Sequence, residues 1–310
     1  MSDPSDGPPL TGSHPLGGSG ANGDRGANSS LRRFVQVDVF TATALRGNAL
    51  AVVVDGAGLS DAQMADFARW TNLSETTFLL PPTDAGADYR VRIFTPGGEL
   101  PFAGHPTLGS AHAWLASGGD PKKPGEVVQQ CGVGLVRVKR EGARLAFAAP
   151  PLLQSGPVDA EVHAQVLRSL GLSAEEVLDV QWVSNGPQWI AARLKSAEAV
   201  LALTPDFIAM KGLKLGVVGA YPAGSEVDFE VRAFVPSLGV PEDPVTGSLN
   251  AGIALWLQGA GLAPARYVAA QGAALGRAGR VHVAREIGAA GAVTWIGGDV
   301  TPLIHGQVRL

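Results

Sequence analysis

A chain of 310 residues, 45% hydrophobic and 17% charged, has the length of about two ordinary domains and the apolar content to fill them. Its net charge of −4, with no basic cluster interleaved with aromatics, argues against nucleic acid as a partner. One cysteine, Cys131, excludes an internal disulfide, a cysteine-rich metal site and a mechanism built on two thiols of one chain. No apolar run is long enough to span a bilayer, and the first residues carry no signal-peptide core. A cytoplasmic protein with no membrane partner is therefore expected.

Residues 1–33 are rich in Gly, Ser, Pro and Asp and poor in large apolar side chains, so a disordered tail is expected there. Phe34 to Phe40 alternates like a half-buried strand, and Arg46-Gly47-Asn48 reads as a turn before a second strand, Ala49 to Val54. Ser60-Asp61-Ala62-Gln63 is a capping box, which opens a helix running to about Trp70. Leu73 to Leu80 is rich in β-formers and reads as a strand with Leu73, Glu75, Thr77 and Leu79 on one face. A glutamate in that row has two readings. One is an exposed strand end; the other is a partly desolvated carboxylate whose raised pKa suits it to pass protons near neutral pH.

Tyr89 to Thr95 is a strand, followed by a loop from Pro96, a helix from Gly104 through Leu115, and strands between Val127 and Phe147. In the second half, Ser173-Ala174-Glu175-Glu176 fits a capping box for a short helix, and Val180 to Gly186 turns into Trp189 to Arg193. Pro205 marks another short helix and Val227 to Phe234 a strand. A second long helix is expected from Asp243 to about Leu257, then strands from Tyr267 to Trp295 and a closing segment, Val300 to Leu310.

Two stretches repeat. His105-Pro106-Thr107-Leu108-Gly109-Ser110 is echoed 138 residues on by Asp243-Pro244-Val245-Thr246-Gly247-Ser248, with Pro, Gly and Ser in the same places. Upstream, Asp88 to Pro96 matches Asp228 to Pro236 at Asp, aromatic, Val, Arg, Phe and Pro, 140 residues apart. By this alignment Asn250 stands where the first copy has His112. So long a period is no solenoid; it implies two similar domains, each contributing a helix start to a shared cleft. A helix start, with its unpaired backbone N–H groups, is a ready anion site. The cleft would set His105 against Asp243, each at the cap of its helix, where a His–Asp hydrogen bond can fix tautomer and charge. His14, His163, His282 and His305 form no metal-spaced cluster with them.

Three motifs, in order, carry a family resemblance: Asn72-Leu73-Ser74-Glu75-Thr76, then Phe94-Thr95-Pro96 with Leu100 to Gly109, then Glu242 to Ser248. From about Phe34 to its end the chain resembles the phenazine-biosynthesis isomerase (PhzF-like) family. That resemblance implies an α/β (α+β) fold of the diaminopimelate-epimerase type: two pseudo-symmetric domains, each a β-barrel-like sheet wrapped around a central helix. The expected division is 34–148 with the final strand 298–310 for the first domain, and 149–297 for the second. The family works without a metal or organic cofactor. By resemblance, Glu75 stands at the position of the general acid/base, with His105, Asp243 and Ser248 at supporting, substrate-binding positions and Gly104 and Gly247 at the helix starts. The resemblance implies an isomerase that moves a proton between carbons of a small carboxylated substrate of the dihydro-hydroxyanthranilate kind, and it allows a homodimer. The alternatives are an epimerase or racemase of a small amino acid, and a non-catalytic homologue that binds small molecules.

Overall fold

The computed structural model describes residues 30–238, 240–289 and 291–310. The first half runs β1 (Leu31–Val39), β2 (Asn48–Val53), α1 (Asp61–Thr71), β3 (Glu75–Leu80), β4 (Tyr89–Thr95), β5 (Gly98–Leu100), α2 (Gly104–Ala116), β6 (Glu126–Cys131), β7 (Gly134–Glu141) and β8 (Arg144–Ala148). The second runs β9 (Gln154–Pro157), α3 (Ala160–Leu170), β10 (Val177–Ser184), β11 (Trp189–Leu194), α4 (Ala197–Leu201), β12 (Lys214–Ala220), β13 (Phe229–Val235) and β14 (Val240–Asp243). It continues with α5 (Gly247–Gly259), β15 (Arg266–Gln271), β16 (Gly279–Gly288) and β17 (Gly291–Gly298), and the chain ends in β18 (Val300–Arg309).

The two halves share one pairing scheme. β1 pairs antiparallel with β2, β2 parallel with β3, β3 antiparallel with β4, and β4 parallel with β6. In the second half β10, β11, β12, β13 and β15 follow the same alternation. The repeat at 140 residues is structural: Asp88 Oδ2 accepts the Val128 N–H at 2.6 Å, and Asp228 Oδ2 accepts the Val268 N–H at 2.8 Å. β8 pairs with β17, which fuses both halves into one 18-stranded sheet, and β18 returns to pair with β1.

Each half wraps its sheet around one apolar helix, α2 or α5, most of whose residues are buried. Small residues let the strands close in. A Cβ on Gly109 would lie 2.5 Å from Leu50 Cδ2, and one on Gly252 would lie 2.3 Å from the Val183 carbonyl. The other helices cover the outer faces. α1 is opened by the capping box, with Ser60 N donating to Gln63 Oε1 at 3.0 Å and Gln63 N to Ser60 Oγ at 3.3 Å, and it packs Met64 and Phe67 with Phe78 and Phe94.

The structure departs from the sequence reading at several points. β1 starts at Leu31, so residues 31–33 belong to the sheet rather than to a tail, paired with Arg309, Val308 and Gln307. Residues 1–29 of the expected tail lie outside the described residues. Asp243 closes β14, paired with Ala233, and the second central helix starts only at Gly247. Ser173 and Glu176 bond each other at 2.8 Å within a turn that does not propagate, and no helix follows Pro205. The helices here are instead α3, capped by Asp159, and α4, capped by Ser196. Asn250 answers to Thr107, not His112: Thr107 Oγ1 donates to the Ala103 carbonyl at 2.9 Å and Asn250 Nδ2 to the Thr246 carbonyl at 2.9 Å.

Candidate active site

The two central helices meet end to end. A Cβ on Gly104 would lie 2.8 Å from Gly247 Cα, and one on Gly247 would lie 2.9 Å from Gly104 Cα, so backbone touches backbone. Neither start is capped by a side chain: Ala103 has no polar group, and the Thr246 hydroxyl donates to Asp243 Oδ2 at 2.5 Å instead. No side chain therefore caps the first-turn N–H groups of either helix, those of Gly104 and His105 in α2 and of Gly247, Ser248 and Leu249 in α5, and both dipoles present their positive ends to the same place.

Glu75 reaches this place from the first position of β3. Its row of the strand faces α2, where the Ser110 hydroxyl donates to Thr77 Oγ1 at 2.9 Å, and Leu79 joins the core around the helix. The side chain is 15% exposed, against the exposed-strand-end reading, and its Oε2 lies 3.4 Å from Nε2 of His105, itself 5% exposed. Both atoms are sealed from solvent, and neither has a hydrogen-bond partner. Burial, with the nearby Asp243 charge second, pushes the Glu75 carboxyl up to about 8. Burial likewise pushes Asp243 up to about 6, against hydrogen bonds from Thr246 and Asn48 that favour its charge. Burial pushes the His105 ring down to about 3, partly offset by a backbone hydrogen bond with Ala49, so the ring is neutral at ordinary pH.

The six residues singled out in the sequence are brought together, with one change in their wiring. No direct His105–Asp243 bond forms. Asn48 stands between them, its Nδ2 3.3 Å from His105 Nδ1 and 3.1 Å from Asp243 Oδ1. Ser248 is the second residue of α5, as His105 is of α2, and its Oγ accepts the Trp189 indole N–H at 3.0 Å. Because that N–H can only donate, the serine hydrogen is free to point at a ligand. Asn48 and Trp189 thus play matching parts: each opens the second long strand of its half and reaches the second residue of the central helix. Neither stands out in the sequence, where Asn48 reads as a turn residue and Trp189 as the first residue of the segment after Gly186. Among the described residues, no three His, Cys, Asp or Glu side chains gather as a metal ion would need. None of the described helices is long and apolar enough to cross a membrane.

The chain is 33% identical over 292 residues to the protein named Antisense-enhancing sequence 1 of Schizosaccharomyces pombe, covering 88% of this chain and 97% of that one. It is 34% identical over 262 residues to the trans-2,3-dihydro-3-hydroxyanthranilate isomerase of Pseudomonas aeruginosa, covering 83% and 91%. The crystal structure of a phenazine biosynthesis PhzF-family protein from Enterococcus faecalis superposes with a TM-score of 0.73 at 26% identity, over 91% of this chain and all (100%) of that one. The fold, shared also with a hydroxyproline epimerase from Agrobacterium vitis, is of the diaminopimelate-epimerase type. Residues 37–306 match the model of the phenazine biosynthesis-like (PhzC-PhzF) family, and the chain belongs to that family.

Proposed function

We propose that the protein is an isomerase that moves a proton between two carbons of a small carboxylated substrate, with Glu75 as the proton carrier. One observation carries this reading: a sealed carboxyl with an unbonded oxygen sits 3.4 Å from His105, beside two uncapped helix starts in backbone contact. A carboxyl that exchanges its proton near neutral pH is matched to taking a proton from carbon and giving it back.

In the proposed reaction Glu75, ionised, removes a hydrogen as a proton from a carbon next to an unsaturated system. The C–H electron pair moves into that system, and the far carbon takes the proton back from Glu75 on the same face. The N–H groups at Gly104 and Gly247, with the Ser248 hydroxyl, hold the substrate carboxylate and the charge that develops during transfer. His105 and Asp243 orient the reacting end. The substrate class is taken from the P. aeruginosa relative's name: trans-2,3-dihydro-3-hydroxyanthranilate or a close cyclic acid. A cytoplasmic location belongs to the same proposal.

Glu75→Gln keeps the shape of the side chain but cannot accept a proton. With trans-2,3-dihydro-3-hydroxyanthranilate as substrate, turnover is expected to fall by about 10²–10⁴-fold while binding persists. Full activity in that variant would remove Glu75 from the mechanism.

A further inference from the structure

Asn48 is 1% exposed and stands at the first position of β2. The turn that delivers it is fixed: Asp38 Oδ2 accepts the N–H groups of Arg46 and Gly47 at 2.8 and 3.0 Å. A Cβ on Gly47 would lie 2.2 Å from the Val39 carbonyl, so only glycine fits before Asn48. The orientation of the amide follows from its neighbours. Nδ2 faces three acceptors: the Val245 carbonyl at 2.9 Å, Asp243 Oδ1 at 3.1 Å and His105 Nδ1 at 3.3 Å. Oδ1 accepts the Ser74 hydroxyl at 3.3 Å. A flipped amide would set its oxygen against a carbonyl and a carboxylate, so the flip is excluded. Two hydrogens then serve three acceptors, and at least one hydrogen is shared.

We propose that Asn48 is a positioning residue that couples Asp243 of the second half to the tautomer of His105 in the first, and through that ring to Glu75. The inference rests on the proton-transfer reading of this site. When Nδ1 accepts from Asn48, the neutral ring carries its hydrogen on Nε2, facing Glu75 Oε2 at 3.4 Å. An N–H there supports the carboxylate that must take the proton from carbon; the other tautomer would aim a lone pair at it. The shared hydrogen makes the link reciprocal. An ionised Asp243 draws the amide toward itself, and a protonated Asp243 releases it to His105. Without Asn48, the ring hydrogen would be free to move to Nδ1, since the backbone of Ala49 is also a partner of this ring.

The test is nuclear magnetic resonance of protein labelled with ¹⁵N-histidine, which reports each ring's tautomer with no substrate present. The chain has six histidines, so His105→Gln identifies the signal. The wild type is expected to show the Nε2–H form at His105. Asn48→Asp, of equal shape but with an acceptor in place of the donor, is expected to move the hydrogen to Nδ1, and Asn48→Ala to abolish the pure Nε2–H pattern. With trans-2,3-dihydro-3-hydroxyanthranilate, both variants should lose about 10²-fold in kcat with KM little changed, as for a misplaced reacting group. An Nδ1–H ring in the wild type, or an unchanged Nε2–H ring in both variants, overturns the coupling. If the spectra move as expected but the wild type does not turn over this acid, the coupling stands and the proposed reaction falls. If the acid is turned over and the spectra do not move, the coupling alone falls.

Discussion

Glu75 keeps, when folded, a proton that the unfolded chain gives up, and this makes stability depend on pH with a definite sign. Its carboxyl moves from an ordinary 4.5 up to about 8, so its contribution is complete below 4.5 and is lost as pH rises through about 8. Asp243 acts in the same direction between 3.8 and about 6. His105 acts oppositely: its ring falls from 6.5 to about 3, so its contribution is present above 6.5 and lost as pH falls through about 3. Between roughly 6.5 and 8, Glu75 is the shifted member of the site that still distinguishes folded from unfolded. The wild type is therefore expected to lose stability across that window with a slope of up to about 1.4 kcal/mol per pH unit. Glu75→Gln should flatten it. Urea unfolding at a series of pH values measures both slopes, and parallel slopes would show that Glu75 does not hold the proton.

At the scale of elements, the fold depends on two helix ends that leave no room for side chains. Gly247→Ala would put a Cβ 2.9 Å from Gly104 Cα, closer than real contacts allow, so the helices must part. Such overpacking costs about 1–3 kcal/mol. Gly259→Ala, at the far end of the same helix, meets nothing within 4 Å and should be neutral, or gain up to about 1 kcal/mol from the lower flexibility of alanine. Chemical unfolding of both variants checks the contrast, and equal stabilities would contradict the tight contact. The first of these helices was legible from its start at Gly104, and the strand before each from a repeat of 140 residues that the sheet reproduces. The pattern shared by His105-Pro106 and Asp243-Pro244 misled on the start of α5, because Asp243 is still held in β14 by its pairing with Ala233. The motifs that carry Glu75 and His105 were legible, but not the 3.4 Å approach of the two side chains, for the sequence set His105 against Asp243. Asn48 was not, for its partners lie 57 and 195 residues away and no local pattern marks them. The Ser173–Glu176 box failed as a helix signal because its bonds satisfy one turn and go no further.

The whole molecule is tied together by strands that cross between its halves. β8 and β17 join the halves edge to edge, and the chain then returns so that β18 covers β1 along its length. The first residues of β1 are thus held by the last residues of the chain: Leu31 by Arg309, Arg32 by Val308, Arg33 by Gln307. Arg32 also donates to the carbonyls of Asp55 and Ala57 at 2.6 and 2.7 Å, and Arg33 pairs with the Asp55 carboxylate at 2.7 Å. The Arg33–Asp55 pair is exposed and adds little by itself. The ladder and the Arg32 bonds, at about 0.5–1.5 kcal/mol each, add more. A chain that begins at Phe34 should therefore melt lower than one that begins at Leu31, by roughly 2–4 °C for each kcal/mol lost. Both should keep the same turnover, since Glu75, His105 and Asp243 lie on other elements. Calorimetry on the two chains decides the matter. Equal melting temperatures would mean that residues 31–33 contribute nothing, and that the closure of the sheet begins only at Phe34.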